Sequence, residues 1–348
     1  MKLILSAIIL LSIALLTSCN KEDKPSEKIK AKWIENAFAS LSNDKYPRVK
    51  AISWWHENFD NSELRIDSSP ESLAAYKKGI SSLKYITAPE FISNKLAEPA
   101  TDIYHSAFPD FGGTEDMVTS QKIKDFELLA GKDIAWAYFS NNWYDVIQFP
   151  TDAVNTIHDA GTVPFIRLMP RTNFDEGGPD PNYSMQKIID GNYDEALTQW
   201  AINAANIGFP ILVEFGTEVN GNWFPWNGQY NGGGETNNYG DPSLPDGPER
   251  FRDAYRHIIN ICNDNGAENI TWFFHIDAYG GPDENWNNIE NYYPGDSYID
   301  WLGVSVYGPQ ESGEDYQEFS EIMDDVYPKL EGLSNKPVAV LEFAVTEF

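Results

Sequence analysis

Pro337-Val-Ala-Val-Leu-Glu-Phe343 is four apolar residues in unbroken succession after a proline, ending on a carboxylate. A near-continuous apolar run of this length, without helical periodicity, reads as a parallel strand buried on both faces. Seven further runs share its character: Val49 to Trp55, Asp102 to Phe108, Asp133 to Phe139, Thr162 to Met169, Pro210 to Phe215, Ile270 to Ile276 and Ile299 to Tyr307. They are rich in β-branched and aromatic residues and bounded by Gly, Pro, Asn or Asp. Helical patterns lie between most of them. Ser69 to Leu83 opens with Ser69 as N-cap, Pro70 at the first helical position and Glu71 behind it. Asn192 to Ile207 ends at Gly208, a C-cap signal. Pro248 to Ala267 carries Phe251, Ala254, Tyr255, Ile258, Ile259 and Cys262 at helical spacing, which makes Cys262 a core residue. Ile29 to Leu41 is amphipathic through Trp33, Ile34, Ala37, Phe38 and Leu41. Eight strands alternating with helices predict an α/β fold, one (β/α)8 TIM barrel over residues 29–348.

Composition narrows the function. The chain has 348 residues, with 25 Lys+Arg against 53 Asp+Glu and a net charge of −28. No basic stripe is present to neutralise phosphates, so nucleic acid is excluded as a partner, and polyanionic substrates are disfavoured. A neutral polymer is indifferent to that charge. The 11 Trp, 18 Tyr and 19 Phe are too many for a disordered chain. The two cysteines, Cys19 and Cys262, form no CxxC pair, and the five histidines form no HExxH. No metal or cofactor is expected. A monomer is expected.

Residues 1–18 read as a signal peptide, with Lys2 as the positive region and Leu3 to Leu16 as an apolar run too short to span a membrane comfortably. Leu16-Thr17-Ser18-Cys19 resembles the lipobox of bacterial lipoproteins, in which the cysteine is lipidated. Residues 19–28 would then be a tether. The charged Asn20-Lys21-Glu22-Asp23-Lys24 is similar to the surface-export signal of Bacteroidetes lipoproteins. The expected location is the outer membrane or cell surface, held by the lipid on Cys19.

In such a barrel the active site lies at the C-terminal ends of the strands. The carboxylates there are Glu57, Glu218, Asp277 and Glu342. Glycoside cleavage needs two carboxyls flanking the bond, one as acid and the other as nucleophile or base. It also needs aromatic faces for sugar rings, and Trp223 and Trp226 follow Glu218 in a Gly-, Asn- and Pro-rich loop. A charge solvated at a strand end or paired with an arginine is the plain alternative for Glu342, but four apolar residues precede it.

Glu218-Val-Asn-Gly-Asn-Trp-Phe-Pro-Trp226 resembles the Glu-Met-Asn-Gly-x-Trp-x-x-Trp signature of glycoside hydrolase family 26. The resemblance implies a (β/α)8 barrel, mostly found in endo-β-mannanases, with some lichenases and β-1,3-xylanases. It implies Glu218 as acid/base on strand 4, Glu342 as nucleophile on strand 7, and Tyr307 at the end of strand 6 bonding the nucleophile. The chain departs from the family at two positions: Thr217 stands where the family has His, and Glu214 where it has Arg. Those two residues shape the subsite around the cleaved sugar. Arg167, on the preceding strand, could face Glu214 and return an arginine to the site. Asn220, Trp223, Trp226, Trp54 or Trp55, His56, Trp143 and His275 are the remaining candidates for lining the sugar cleft; His105, Asp110, Asn141 and Asn142 are weaker ones.

The expected function is that of a retaining endo-β-glycanase acting on a polysaccharide or oligosaccharide, with β-1,4-mannan foremost. Mixed-linkage β-glucan or β-xylan is the alternative within the class, and a non-catalytic glycan-binding lipoprotein the alternative outside it. The stretch from Trp33 to Asp67 resembles the end of family members rather than their beginning. The expected strand order is therefore circularly permuted, with the family's strand 8 placed first. The rival is a seven-stranded barrel to which residues 27–90 are an unrelated appendage. The two differ in whether Val49 to Trp55 lies parallel between Pro337–Phe343 and Asp102–Phe108.

Overall fold

A computed structural model describes residues 29–59, 61–174, 177–311 and 313–347. The expected signal peptide, Cys19 and the expected tether lie outside the described residues.

Eight parallel strands close into a barrel. In chain order they are β1 (Val49–Trp55), β2 (Ile103–Phe108), β3 (Trp136–Asn142), β4 (Val163–Met169), β5 (Ile211–Phe215), β6 (Ile270–Asp277), β7 (Trp301–Tyr307) and β8 (Val338–Ala344). Each pairs with its sequence neighbour, and β1 pairs in parallel with both β8 and β2. Val49–Trp55 is thus a barrel strand, which removes the seven-stranded alternative.

The helices follow the sequence patterns closely. Ile29–Ser42 (α1) and Pro70–Ile80 (α2) flank β1. The Ser69 side chain accepts the Ser72 amide and caps α2 as the Ser-Pro-Glu opening predicts. Asp194–Asn206 (α3) precedes β5, Asp246–Asp264 (α4) follows it, and Phe319–Leu333 (α5) precedes β8. Cys262 is buried within α4. Trp33 of α1 meets Phe319 of α5 edge-on, with ring centroids 5.5 Å apart, and stacks near Phe343 of β8. Lys30 is fully buried at the start of α1, and its ammonium donates to the carbonyls of Glu63 and Arg65 at 2.6 and 2.7 Å.

The barrel interior is filled, not open. Its lower layer is aromatic: Trp136 contacts Tyr104, Phe165 and Phe273, with ring centroids 6.2, 5.9 and 6.3 Å away. Trp301 stacks on Phe273 at 5.7 Å. A short antiparallel ribbon, Phe91–Ile92 with Lys95–Leu96, closes the bottom. The Leu96 amide donates to Thr271 Oγ1 at 2.8 Å there. Above the aromatic layer the inward residues turn polar, and that change defines the upper face.

Candidate active site

A cleft of about 930 Å³ opens over the C-terminal ends of the strands. Glu218, Glu342, Glu57, Glu115, Asp277 and Arg167 line it, together with Trp55, Trp223, Tyr307, Phe59 and Tyr279.

Glu342 is the fifth residue of β8 and is 4% exposed. The Tyr307 hydroxyl, at the end of neighbouring β7, donates to Glu342 Oε2 at 2.8 Å. Arg167 Nη2 lies 3.2 Å from Glu342 Oε1. Glu218 stands just past β5 with its backbone in the left-handed region, φ 49°. That conformation is costly for a residue with a Cβ and concentrates at functional sites. Trp223 Nε1 donates to Glu218 Oε2 at 2.7 Å. Gly221 permits this: a Cβ there would fall 2.2 Å from the Trp223 ring. Burial pushes both carboxyls up to about 7. Asp277 adds to the rise at Glu218, whereas Arg167 opposes it at Glu342. The two carboxyls thus sit among different neighbours, a guanidinium and a phenol at Glu342, an indole and a second acid at Glu218.

Arg167 sits at the centre of the upper layer. The register pairs it with Glu214 across β4 and β5, and its Nε lies 3.5 Å from Glu214 Oε1. It thus faces Glu214, and Glu342 as well. Its guanidinium carbon stands 5.1 Å from the ring centres of both Trp55 and Tyr138. Trp55 itself stacks on Phe108, centroids 4.0 Å apart and nearly coplanar at 9°. Arg167 Nη1 also pairs with Glu115 Oε2 at 2.7 Å.

Glu115 is a site residue that sequence reasoning missed. It projects from the loop after β2 with φ 61°, and its carboxylate accepts from Ser140 Oγ at 2.5 Å. The only signal was the Gly112-Gly113 turn just before it. Glu57 reaches the cleft at the end of β1; burial and the neighbouring Glu115 and Asp110 charges raise its carboxyl to about 8.

Several sequence-predicted cleft residues lie elsewhere. Trp226 has no exposed surface; its indole donates to the Thr217 carbonyl at 2.7 Å and its ring stacks on Phe224 at 4.5 Å. The loop folds back into the barrel wall, so Trp226 is core. Trp54 points outward, between Trp33, Tyr76 and Phe343, because strand neighbours alternate and Trp55 takes the inward face. His56 turns away from the cleft: its Nδ1 accepts the Ile66 amide at 3.1 Å, and burial beside Arg65 drives its pKa down to about 3. Trp143 lies beyond the end of β3, edge-on to Tyr183 at 5.2 Å and 1% exposed. Asn220 clamps β6 instead of facing sugar, donating to the Asp277 carbonyl at 2.9 Å and accepting its amide at 2.8 Å. His275 is inside the barrel beneath the cleft, 2.9 Å from Glu214 and from Ser305, and does not line the cleft. His105 faces outward onto Tyr76 at 2.8 Å, and Asp110 pairs with Arg65 at 2.7 Å. Among the described residues no group of His, Cys, Asp and Glu is arranged to hold a metal ion, and no helix is long and apolar enough to cross a membrane.

A closed (β/α)8 barrel with two buried carboxyls and aromatic walls in one cleft is an arrangement suited to flanking a glycosidic bond. The family model described as glycosyl hydrolase family 26 matches residues 180–333, a segment that holds Glu218 and Tyr307 and stops short of Glu342. The match covers less than half of the chain and likens that segment to family 26. It is 27% identical over 231 residues to endoglucanase H of Acetivibrio thermocellus, covering 65% of this chain and 23% of that one. It is 23% identical over 141 residues to the β-1,3-xylanase TXYA of a Vibrio species, covering 40% of this chain and 25% of that one. The chain thus spans about a quarter of the length of these curated relatives. The catalytic domain of the Bacillus sp. JAMB-750 endo-β-1,4-mannanase aligns over 93% of this chain and 78% of its own, with 14% identity and a TM-score of 0.47.

Proposed function

We propose that the chain is a retaining endo-β-glycanase acting on a neutral β-linked polysaccharide, with β-1,4-mannan foremost. The observation that carries this is the unequal pair Glu218 and Glu342 in one cleft. Arg167 and the Tyr307 hydroxyl stabilise charge on Glu342, while Trp223 orients Glu218 and Asp277 favours its protonated form. In the first step Glu342 attacks the anomeric carbon, the glycosidic bond breaks, and Glu218 gives its proton to the departing oxygen. In the second step Glu218 takes a proton from water, which attacks the glycosyl-enzyme and releases Glu342. The anomeric configuration is retained.

Thr217 and Glu214, at positions where family 26 has His and Arg, favour a second reading in which the polymer is a β-glucan or β-xylan. The names endoglucanase and β-1,3-xylanase borne by two relatives agree with it. Reducing-end release from mannan, mixed-linkage β-glucan, β-1,3-xylan and β-1,4-xylan separates the two, and NMR of the first-formed anomer tests retention. No release from any of the four would overturn both.

The strand positions support the permuted order. The proposed acid/base, nucleophile and hydrogen-bonding tyrosine follow or end barrel strands five, eight and seven in chain order, where the resemblance implies four, seven and six. One strand moved from the end of the barrel to its front produces this uniform offset. A lipid on Cys19, holding the barrel at the cell surface, remains part of the proposal.

A further inference from the structure

Glu342 Oε1 is buried and accepts no hydrogen bond among the described residues, although a guanidinium nitrogen stands 3.2 Å away. The reason lies in how Arg167 directs its donors. Its Nη1 donates to Glu115 Oε2 at 2.7 Å and, more weakly, to Ser140 Oγ at 3.5 Å. Its Nε, 3.5 Å from Glu214, is likewise buried and without a hydrogen bond. The rings of Trp55 and Tyr138 lie 5.1 Å from its carbon, contacts with no fixed bonding direction. Among the described residues, the short charge-assisted hydrogen bond that aims the guanidinium is therefore the one to Glu115. Glu115 is itself firmly held. Its carboxylate accepts from Ser140 Oγ at 2.5 Å, and its carbonyl accepts from the Ser140 amide at 2.9 Å. The carbonyl of Thr114 accepts from Asn142 Nδ2 at 2.8 Å. The loop after β2 is thus tied to the top of β3, and Arg171 Nη2 stands 3.8 Å from the same Glu115 oxygen.

We propose that Glu115 is a positioning residue that holds the Arg167 guanidinium short of bonding Glu342, so that Oε1 keeps its electrons for the anomeric carbon. The proposal rests on the nucleophile role given to Glu342 above. A carboxylate attacks through one of its oxygens. Tyr307 bonds Oε2, which leaves Oε1 for the attack. At 3.2 Å Arg167 supports the charge of the ionised carboxylate. A hydrogen bond to Oε1 would go further and engage the electrons that must form the new bond. Such a bond favours the ionised form. It also stabilises the ground state more than the transition state, in which that charge is leaving the oxygen, and so slows the attack. Drawn toward Glu115, Arg167 gives the charge without the bond.

Two variants of nearly constant volume test this. Glu115→Met removes the charge and the acceptor, and Glu115→Gln removes the charge alone. Tyr307 of β7, His275 and Asp277 of β6, Glu214 and Glu218 on and just past β5, and Arg167 of β4 face Glu342 in both. Arg171 and Glu57 face position 115 in both. The difference between the variants therefore reads the acceptor. Glu342 is titrated by 13C NMR in protein labelled at the glutamate carboxyls, its resonance assigned through Glu342→Gln. In Glu115→Met the released guanidinium turns onto Oε1, and the midpoint should fall by about one pH unit, a tenfold change in the ionisation constant. Glu115→Gln should move it by less than half as much. Glycosyl-enzyme formation from an aryl glycoside should slow about tenfold in Glu115→Met, although more of its Glu342 is ionised, and recover in Glu115→Gln. A merely structural role lowers the rate and leaves the midpoint in place. An unmoved or raised midpoint in folded Glu115→Met, or an equal fall in both variants, overturns the proposal; Glu115→Ala replaces Glu115→Met should that variant not fold. The titration needs no turnover, so a wild type that hydrolyses no glycan sinks the glycanase reading while the two midpoints still decide whether Glu115 restrains Arg167.

Discussion

Arg167 is the only cation lining the cleft among the described residues, and its Nη2 stands 3.2 Å from Glu342 Oε1 while its Nη1 is held by Glu115 at 2.7 Å. Two carboxylates therefore share one guanidinium, with Glu214 Oε1 3.5 Å from its Nε. Removing that charge takes the ion-pair partner from Glu342, while Glu214 keeps His275 at 2.9 Å and Glu115 keeps Arg171 at 3.8 Å. Arg167→Met should destabilise the protein by about 3–5 kcal/mol, as expected when one partner of a buried pair is lost. Arg167→Lys keeps the charge but loses the fork. It should lose at least about tenfold in kcat/KM, or about 1.4 kcal/mol of transition-state stabilisation. Because Arg167 opposes the rise at Glu342, its loss raises that carboxyl further, and the acidic limb of kcat/KM should move to higher pH. A limb that stays in place would contradict the role.

Glu342 must be ionised and Glu218 protonated for the first step, and burial draws both toward about 7. The pH profile of kcat/KM should be a narrow bell near neutrality, with Glu342 setting the acidic limb and Glu218 the basic limb. Glu342→Ala should fold and be nearly inactive. Glu218→Ala should lose about 10²–10⁴-fold on polysaccharide. The loss should be smaller in the first step of an aryl glycoside whose leaving group needs no proton. Equal losses on both substrates would deny Glu218 the acid role.

The two tryptophans after Glu218 should part company on mutation. Trp226→Ala, which empties a fully buried site, should cost about 3–5 kcal/mol of stability. Trp223→Phe keeps the ring and removes the N–H donated to Glu218. It should leave the melting temperature nearly unchanged, raise KM and shift the basic limb upward. Circular dichroism melts alongside kinetics distinguish the two.

Glu57 is held up to about 8 by burial and by the Glu115 and Asp110 charges. A carboxyl raised on folding binds more protons in the folded state. Stability is therefore lost as pH climbs from the unfolded value of about 4.3 toward the folded one. Glu57→Gln should melt higher than wild type by a few degrees at pH 8. The two should converge at pH 4, where both side chains are neutral. A gain of equal size at both pH values would point to packing instead of charge.

Cys19→Ala should lose its acyl chain and leave the membrane fraction, since the tether provides no other apolar anchor. Unchanged fractionation would refute the lipobox reading.

The strands were readable to within about three residues because runs such as Val338–Ala344 are apolar on both faces, a pattern little else produces. β3 was misplaced by three residues at each end, since it finishes on Ser140-Asn141-Asn142: barrel tops are polar, and that reads as loop. The carboxyl pair was legible from a strand-end Glu and a distinctive loop. Its surroundings were less so. Nothing in Trp54-Trp55 says which ring faces in, and nothing in the loop around Trp226 says that it folds back onto the barrel wall. Glu115 belongs to an irregular loop, where no periodicity marks a side chain that enters a site.

The pairing of β1 with β8 joins residues nearly three hundred positions apart. Contacts this distant form late, and a chain emerging from the ribosome meets them in order. Until Val338–Ala344 is synthesised, β1 and β7 are open edges able to recruit strands from other chains. The strand that seals them is the one bearing Glu342. Completion of the closed sheet and arrival of the proposed nucleophile are thus one event in biosynthesis, and an unfinished chain is an aggregation hazard that also lacks that carboxylate.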